Sequence, residues 1–181
     1  MKSIISAKAL ISAAVVSLAF LSPSASAQEN AKLSDAEIAS VAVTANQIDI
    51  EYALIAMKKS NNAEVIKFAE TMAKDHQSVI NQAVALAKKL GVIPKDNATT
   101  RSFLAQAAKT KTILNSKKGK AFNRAYIDNE VAYHKAAIKE VETVLIPDAT
   151  NNELKSLLQS ALPLFHTHLA HAKMLQEEIN K

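Results

Sequence analysis

The sequence predicts an all-helical protein, and three observations carry that prediction. Only two glycines, Gly91 and Gly119, occur in 181 residues, too few for the turns that a set of short strands needs. Alanine, leucine and lysine dominate the composition, and all three favour helix. Apolar residues recur at alternating steps of three and four along four long segments, the seam of an amphipathic helix.

The chain opens on a segment that reads as an export address. Lys2 and Lys8 make a positive start, Ala9 to Leu21 form an apolar stretch of small and aliphatic residues, and Ala25-Ser26-Ala27 offers the small-x-small pattern of a signal peptidase site. That run is shorter than the roughly 20 residues needed to span a bilayer. Residues 1–27 are thus expected to be a cleaved signal peptide and residues 28–181 one mature domain, placed in the periplasm without a transmembrane segment. With no cysteine in the chain, neither a lipid anchor nor a disulfide is available, so the core must hold by packing. The formal net charge of +5 is spread along the chain. No basic stripe with interleaved aromatics occurs, which argues against nucleic acid as a partner.

The first long helix is expected from Ser34, where Ser34 and Glu37 make a capping box, to a turn at Asn61-Asn62. Its seam is Ile38, Val41, Ala45, Ile48, Tyr52 and Ile55. The second runs from Ala63 to Leu90, where Gly91 and Pro94 stop it; its seam includes Val65, Ala69, Met72, His76, Val79, Ala83 and Leu86. A short helix over Arg101–Leu114 is expected to turn Phe103, Leu104, Ala107 and Leu114 inward, followed by a basic loop over 115–120. The third long helix spans 121–145, with Ile127, Val131, His134, Ile138, Val141 and Leu145 on its seam, and Pro147 ends it. The fourth opens near Asn151 or Asn152 and reaches the C-terminus through Leu154, Leu158, Ala161, Phe165, His168, Ala172, Leu175 and Ile179. Pro163 inside it removes one backbone bond and predicts a kink one turn earlier. Two hairpins joined by a long link predict a four-helix bundle with one crossover, in the ferritin-like manner, the crossover between helices two and three containing the short helix.

Several stretches resemble one bacterial family over the whole mature chain. They are Ser34-Asp-Ala-Glu37, Phe68-Ala-Glu-Thr-Met-Ala-Lys-Asp-His76, Gly119-Lys-Ala-Phe122, Tyr126-Ile-Asp-Asn-Glu-Val-Ala-Tyr-His134 and His168-Leu-Ala-His171. The family is the exported, ferritin-like group called domain of unknown function 4142. The resemblance implies a signal peptide followed by a ferritin-like bundle, and it brings no established activity. The Glu-x-x-His pairs of di-iron relatives are missing: Ala73, Val131 and Phe165 stand three residues before His76, His134 and His168.

Those three histidines are nevertheless the residues to weigh, one on each of three seams. Counted from the hairpin turns, His76 and His134 fall at the same height, and His168 about 9 Å further along at 1.5 Å per residue. Glu51 comes out near the level of His168, and Glu130 lies one turn from His134. One reading is a transition-metal site for zinc, copper, iron or manganese, built from His76, His134, His168, Glu51 and Glu130. Met72 and Met174 would add soft ligands, and His168 with His171 could chelate from one helix face. His166 is expected to be exposed. The other reading is that these are buried polar residues that fix helix register, with pH sensing a third role. Two functions follow: a non-catalytic envelope protein with a binding or stress-related role, or a ferritin-like metal-binding protein or oxidoreductase. The expected partner is correspondingly a protein or a metal ion.

Overall fold

The computed structural model describes residues 32–181, so the proposed leader over 1–27 lies outside the described residues. The regular structure in that range is helical throughout: α1 (Asp35–Lys59), α2 (Ala63–Leu90), α3 (Ala98–Ser116), α4 (Gly119–Glu140), a π-helical turn (Val141–Leu145), α5 (Ile146–Asp148) and α6 (Asn152–Ile179). No described helix is long and apolar enough to cross a membrane.

Short polar side chains set the helix starts. Ser34 accepts from the Glu37 amide, and the Glu37 carboxylate accepts from the Ser34 amide at 3.0 Å, closing the capping box. Asn62, Asn97 and Asn151 cap α2, α3 and α6 through side-chain oxygens that accept from first-turn amides, each interaction stabilising its helix by about 1 kcal/mol. Gly91 closes α2 at φ 66°, a left-handed position that a side chain would strain.

One proline acts differently from expectation. Pro147 does not end the third long helix at Leu145. Instead the chain widens into the π turn, where the Ile146 amide donates to Val141, and helical backbone continues to Asp148. Proline has no N–H and its ring crowds the carbonyl four residues back, so the wider turn carries the chain past it. Pro163 lies inside α6, as expected, at an exposed position.

The α1–α2 hairpin makes the most extensive helix contact, followed by α4 with α6. The two pairs meet through α2 against α6 and α1 against α4, while α3 lies on α1 and α4. Because α3 touches the rest by one narrow face, Thr100, Ala107 and Leu114 are buried at seven-residue spacing. Leu104, expected inward, is 51% exposed.

The interior divides into two apolar clusters. One gathers Tyr52, Val65, Phe68, Met72, Leu114, Phe122, Tyr126 and Ile127. The other gathers Ile38, Val41, Val79, Ile138, Val141, Leu145, Leu154, Leu158 and Phe165. Along α2, α4 and α6 the residue at the junction is a histidine: His76 between Met72 and Val79, His134 between Val131 and Ile138, His168 between Phe165 and Ala172.

Candidate metal centre

Five ionisable side chains form the layer between the two clusters. His76, His134 and His168 are 4%, 1% and 2% exposed, and Asp49 of α1 and Glu130 of α4 are fully buried. The three imidazole rings form a near-equilateral triangle, with centroids 5.6, 5.2 and 5.4 Å apart. One nitrogen from each ring lies within 4.8 Å of the others, and Asp49, Glu130 and His134 converge to the same limit. Three atoms no more than 4.8 Å apart share a centre within about 2.8 Å of each, against about 2.0–2.1 Å for a zinc–imidazole bond. Small side-chain rotations cover that difference.

The hydrogen bonds decide which nitrogen of each ring faces inward. The Asn46 amide donates to the Ala42 carbonyl at 2.7 Å, so its oxygen accepts from His76 Nδ1, also at 2.7 Å. His134 Nδ1 donates to the Glu130 carbonyl at 3.0 Å. His168 Nε2 donates to the Asp75 carboxylate at 3.0 Å. Each acceptor fixes a tautomer, leaving lone pairs on His76 Nε2, His134 Nε2 and His168 Nδ1. Those three nitrogens have no hydrogen-bond partner, and neither do the carboxylate oxygens of Asp49 and Glu130. Asp49 Oδ2 lies 3.4 Å from His76 Nε2 and 3.6 Å from His134 Nε2. Unpartnered Asp49 oxygens therefore lie beside the unpartnered inner nitrogens of His76 and His134 in the buried layer.

Burial dominates the titration of every member. It pushes Asp49 up to about 8 and Glu130 well above the carboxylate range, with Asp49 adding to the rise. It lowers His134 to about 4 against an opposing backbone hydrogen bond. His76 falls well below the ordinary imidazole value through burial and the two other histidines. His168 falls less, because Asp75 offsets its burial. All five groups are driven toward neutral forms, the response of charges cut off from water without a counterion.

A divalent cation would relieve these strains. It would accept inner lone pairs, offset carboxylate charge, and leave every ligating imidazole with the outward acceptor that metal-bound histidines usually have. The donor set of imidazole and carboxylate fits a transition metal such as zinc or copper(II).

Four of the five sequence-predicted site residues meet here, and Glu51 does not. Its carboxylate pairs with Lys111 of α3 and is partly exposed. Asp49 provides the α1 carboxylate that the sequence reading missed, although an acid between Ile48 and Ile50 was a signal, since both isoleucines are buried. His168 lies in the layer of the other two histidines rather than about 9 Å beyond it. With helical backbone reaching Asp148 and α6 starting at Asn152, the turn centres near residue 150. His134 and His168 then differ in height by about two residues, or about 3 Å. Met72 is buried in the apolar core, Met174 is exposed, and the His171 ring packs edge-on against Phe68. His166 faces solvent near Glu142.

The fold and this layer define a class: an all-helical protein with a buried histidine–carboxylate cluster. The chain belongs to the family described as domain of unknown function (DUF4142), whose match covers residues 20–175. No curated protein matches it significantly. A DUF305 protein of Streptomyces coelicolor, described as secreted, is similar in structure at a TM-score of 0.68 and 12% identity, over 80% of this chain and 92% of that one. CopM in its Cu(II)-bound form is similar at a TM-score of 0.61 and 13% identity, over 81% and 98%.

Proposed function

We propose that this protein binds one divalent transition-metal ion at the centre of a ferritin-like four-helix bundle, after export to the periplasm and removal of residues 1–27. His76 Nε2, His134 Nε2, His168 Nδ1 and an oxygen of Asp49 are the ligands. Glu130 balances the remaining charge beside His134. The observation that carries the reading is the fixed tautomers: three outward N–H groups are satisfied while three inner ring nitrogens and two carboxylates are buried together without hydrogen-bond partners. Histidines serving only to fix register would need hydrogen-bond partners on their inner nitrogens, because a buried polar group without one destabilises by about 1–3 kcal/mol. Copper(II) is the first candidate. It is the tightest-bound divalent first-row ion at nitrogen and oxygen sites, and CopM, of similar fold, is a Cu(II)-bound protein. Zinc is the second.

The test is metal content and spectroscopy of protein purified without a histidine tag. One equivalent of metal per chain is expected after addition of copper(II) and dialysis. Electron paramagnetic resonance should then show hyperfine coupling to about three nitrogens, reduced by one in His168→Ala. Less than a tenth of an equivalent retained, with melting unmoved by copper or zinc, overturns the reading.

A further inference from the structure

We propose that the end of the bundle where α1 and α3 finish and α4 begins docks on the surface of an anionic lipid bilayer. The inference goes beyond the metal reading and uses none of its residues. Between Asp96 and Asp128 the chain has seven lysines and arginines and no aspartate or glutamate. Two of the seven are neutralised by acids outside the segment, Arg101 by Asp96 and Lys111 by Glu51. The fold gathers most of the others at one place. Lys59 donates to the Asn115 carbonyl at 2.6 Å, and its ammonium lies 5.5 Å from the Phe122 ring centroid. These contacts tie the end of α1 to the end of α3 and the start of α4. Around that junction Lys58, Lys117, Lys118, Lys120 and Arg124 are exposed, and none of them forms an ion pair among the described residues.

Helix stability does not account for these charges. Cations suit a helix C-terminus and oppose the macrodipole at an N-terminus. Lys118 is nevertheless the N-cap residue of α4, without a side-chain cap bond, and Lys120 stands in the first turn. By contrast α1, α2 and α6 each have an acid in the first turn. The acids at the same end of the bundle, Glu64, Glu177 and Glu178, belong to α2 and α6, which pack on each other. The free cations belong to α1, α3 and α4, which also meet one another. This end is thus divided into a positive side and a side that holds the acids.

Three features favour a lipid surface over other anionic partners. The final two turns of α1 and α3 each expose an aliphatic side chain one turn before a lysine. Leu54, 53% exposed, precedes Lys58, and Ile113, 54% exposed, precedes Lys117. An aliphatic residue beside flexible lysines suits a head-group layer, where it enters the acyl boundary while the ammonium groups pair with phosphates. Single-stranded nucleic acid needs exposed rings on which bases stack, and Phe122 and Tyr126, the aromatic residues beside these cations in the sequence, are fully buried. A protein partner is held by aromatic or arginine anchors in pockets, whereas four of the five free cations are lysines.

Sedimentation with lipid vesicles, using the processed protein from Gln28 so that no apolar leader contributes, tests the proposal. Binding is expected to vesicles with about 30% phosphatidylglycerol and not to pure phosphatidylcholine. It should vanish at about 0.5 M salt, where surface charges are screened. Lys117→Gln/Lys118→Gln/Lys120→Gln should weaken binding about 100-fold, each lysine contributing about fivefold near an anionic surface. Lys74→Gln/Lys135→Gln/Lys139→Gln removes the same charge from exposed positions elsewhere and should change binding by no more than about threefold. Leu54→Gln/Ile113→Gln should weaken it about tenfold. Absence of binding to the phosphatidylglycerol vesicles at low salt overturns the proposal, as does equal binding to phosphatidylcholine. So does equal loss in the two lysine variants, which would make net charge the cause. Unchanged binding of the Leu54→Gln/Ile113→Gln variant also overturns it, since charge alone fits any polyanion.

Discussion

Replacing Asp49 by asparagine should make the metal-free protein more stable and its metal complex weaker. Burial lifts this carboxyl from its ordinary 3.8 to about 8. Folding at pH 7 without an ion therefore requires a proton on Asp49, and about three pH units at about 1.4 kcal/mol each give a cost of about 4 kcal/mol. The amide of the Asp49→Asn variant has no such proton to take up, but it remains short of partners, which returns about 1–3 kcal/mol of that gain. The net expectation is a stabilisation of about 1–3 kcal/mol in urea unfolding with chelator at pH 7. A folded value above the unfolded one fixes the sign of the pH dependence. The advantage of the variant is full at and above pH 8 and fades as pH falls toward 4. Copper affinity should move the other way, falling tenfold or more with the loss of an anionic ligand. A metal-free Asp49→Asn protein that is less stable than its parent at pH 7, or whose advantage does not shrink on acidification, refutes the reasoning.

Three further outcomes follow from the same geometry. Asp75→Leu removes the acceptor that orients His168 and should weaken copper binding about 10–100-fold while the fold is kept, read by competition with a chelator of known affinity. Glu51→Gln breaks only the pair with Lys111. It should leave metal affinity within twofold and shift unfolding by no more than about 1 kcal/mol. Phe68→Ala empties a fully buried position beside Tyr126 and His171 and should lower stability by about 3–5 kcal/mol in chemical denaturation, with copper still bound.

The helices were legible because their signals are local. Ser34 with Glu37, Asn62, Gly91 and Asn151 act within one turn of backbone, and the three-and-four spacing of Val65, Ala69, Met72 and Val79 needs no partner to be read. That spacing also put His76, His134 and His168 on inward faces, since residues seven apart return to nearly the same side of a helix. Glu130 followed as the carboxylate one turn before His134.

What the sequence alone could not decide was anything that depends on how one helix is set against another. Asp49 and Glu51 are two residues apart, so they point to nearly opposite sides of α1. Only the placement of α2, α4 and α3 around that helix sends Asp49 into the core and Glu51 out to Lys111. The height of His168 hung on the π turn before Pro147, a few residues that shift the whole of α6 against α4. Spacing along the chain specifies faces, because helical geometry repeats with a fixed period. Levels, neighbours and the convergence of lone pairs belong to the packed protein, because they come from contacts between residues far apart in the chain.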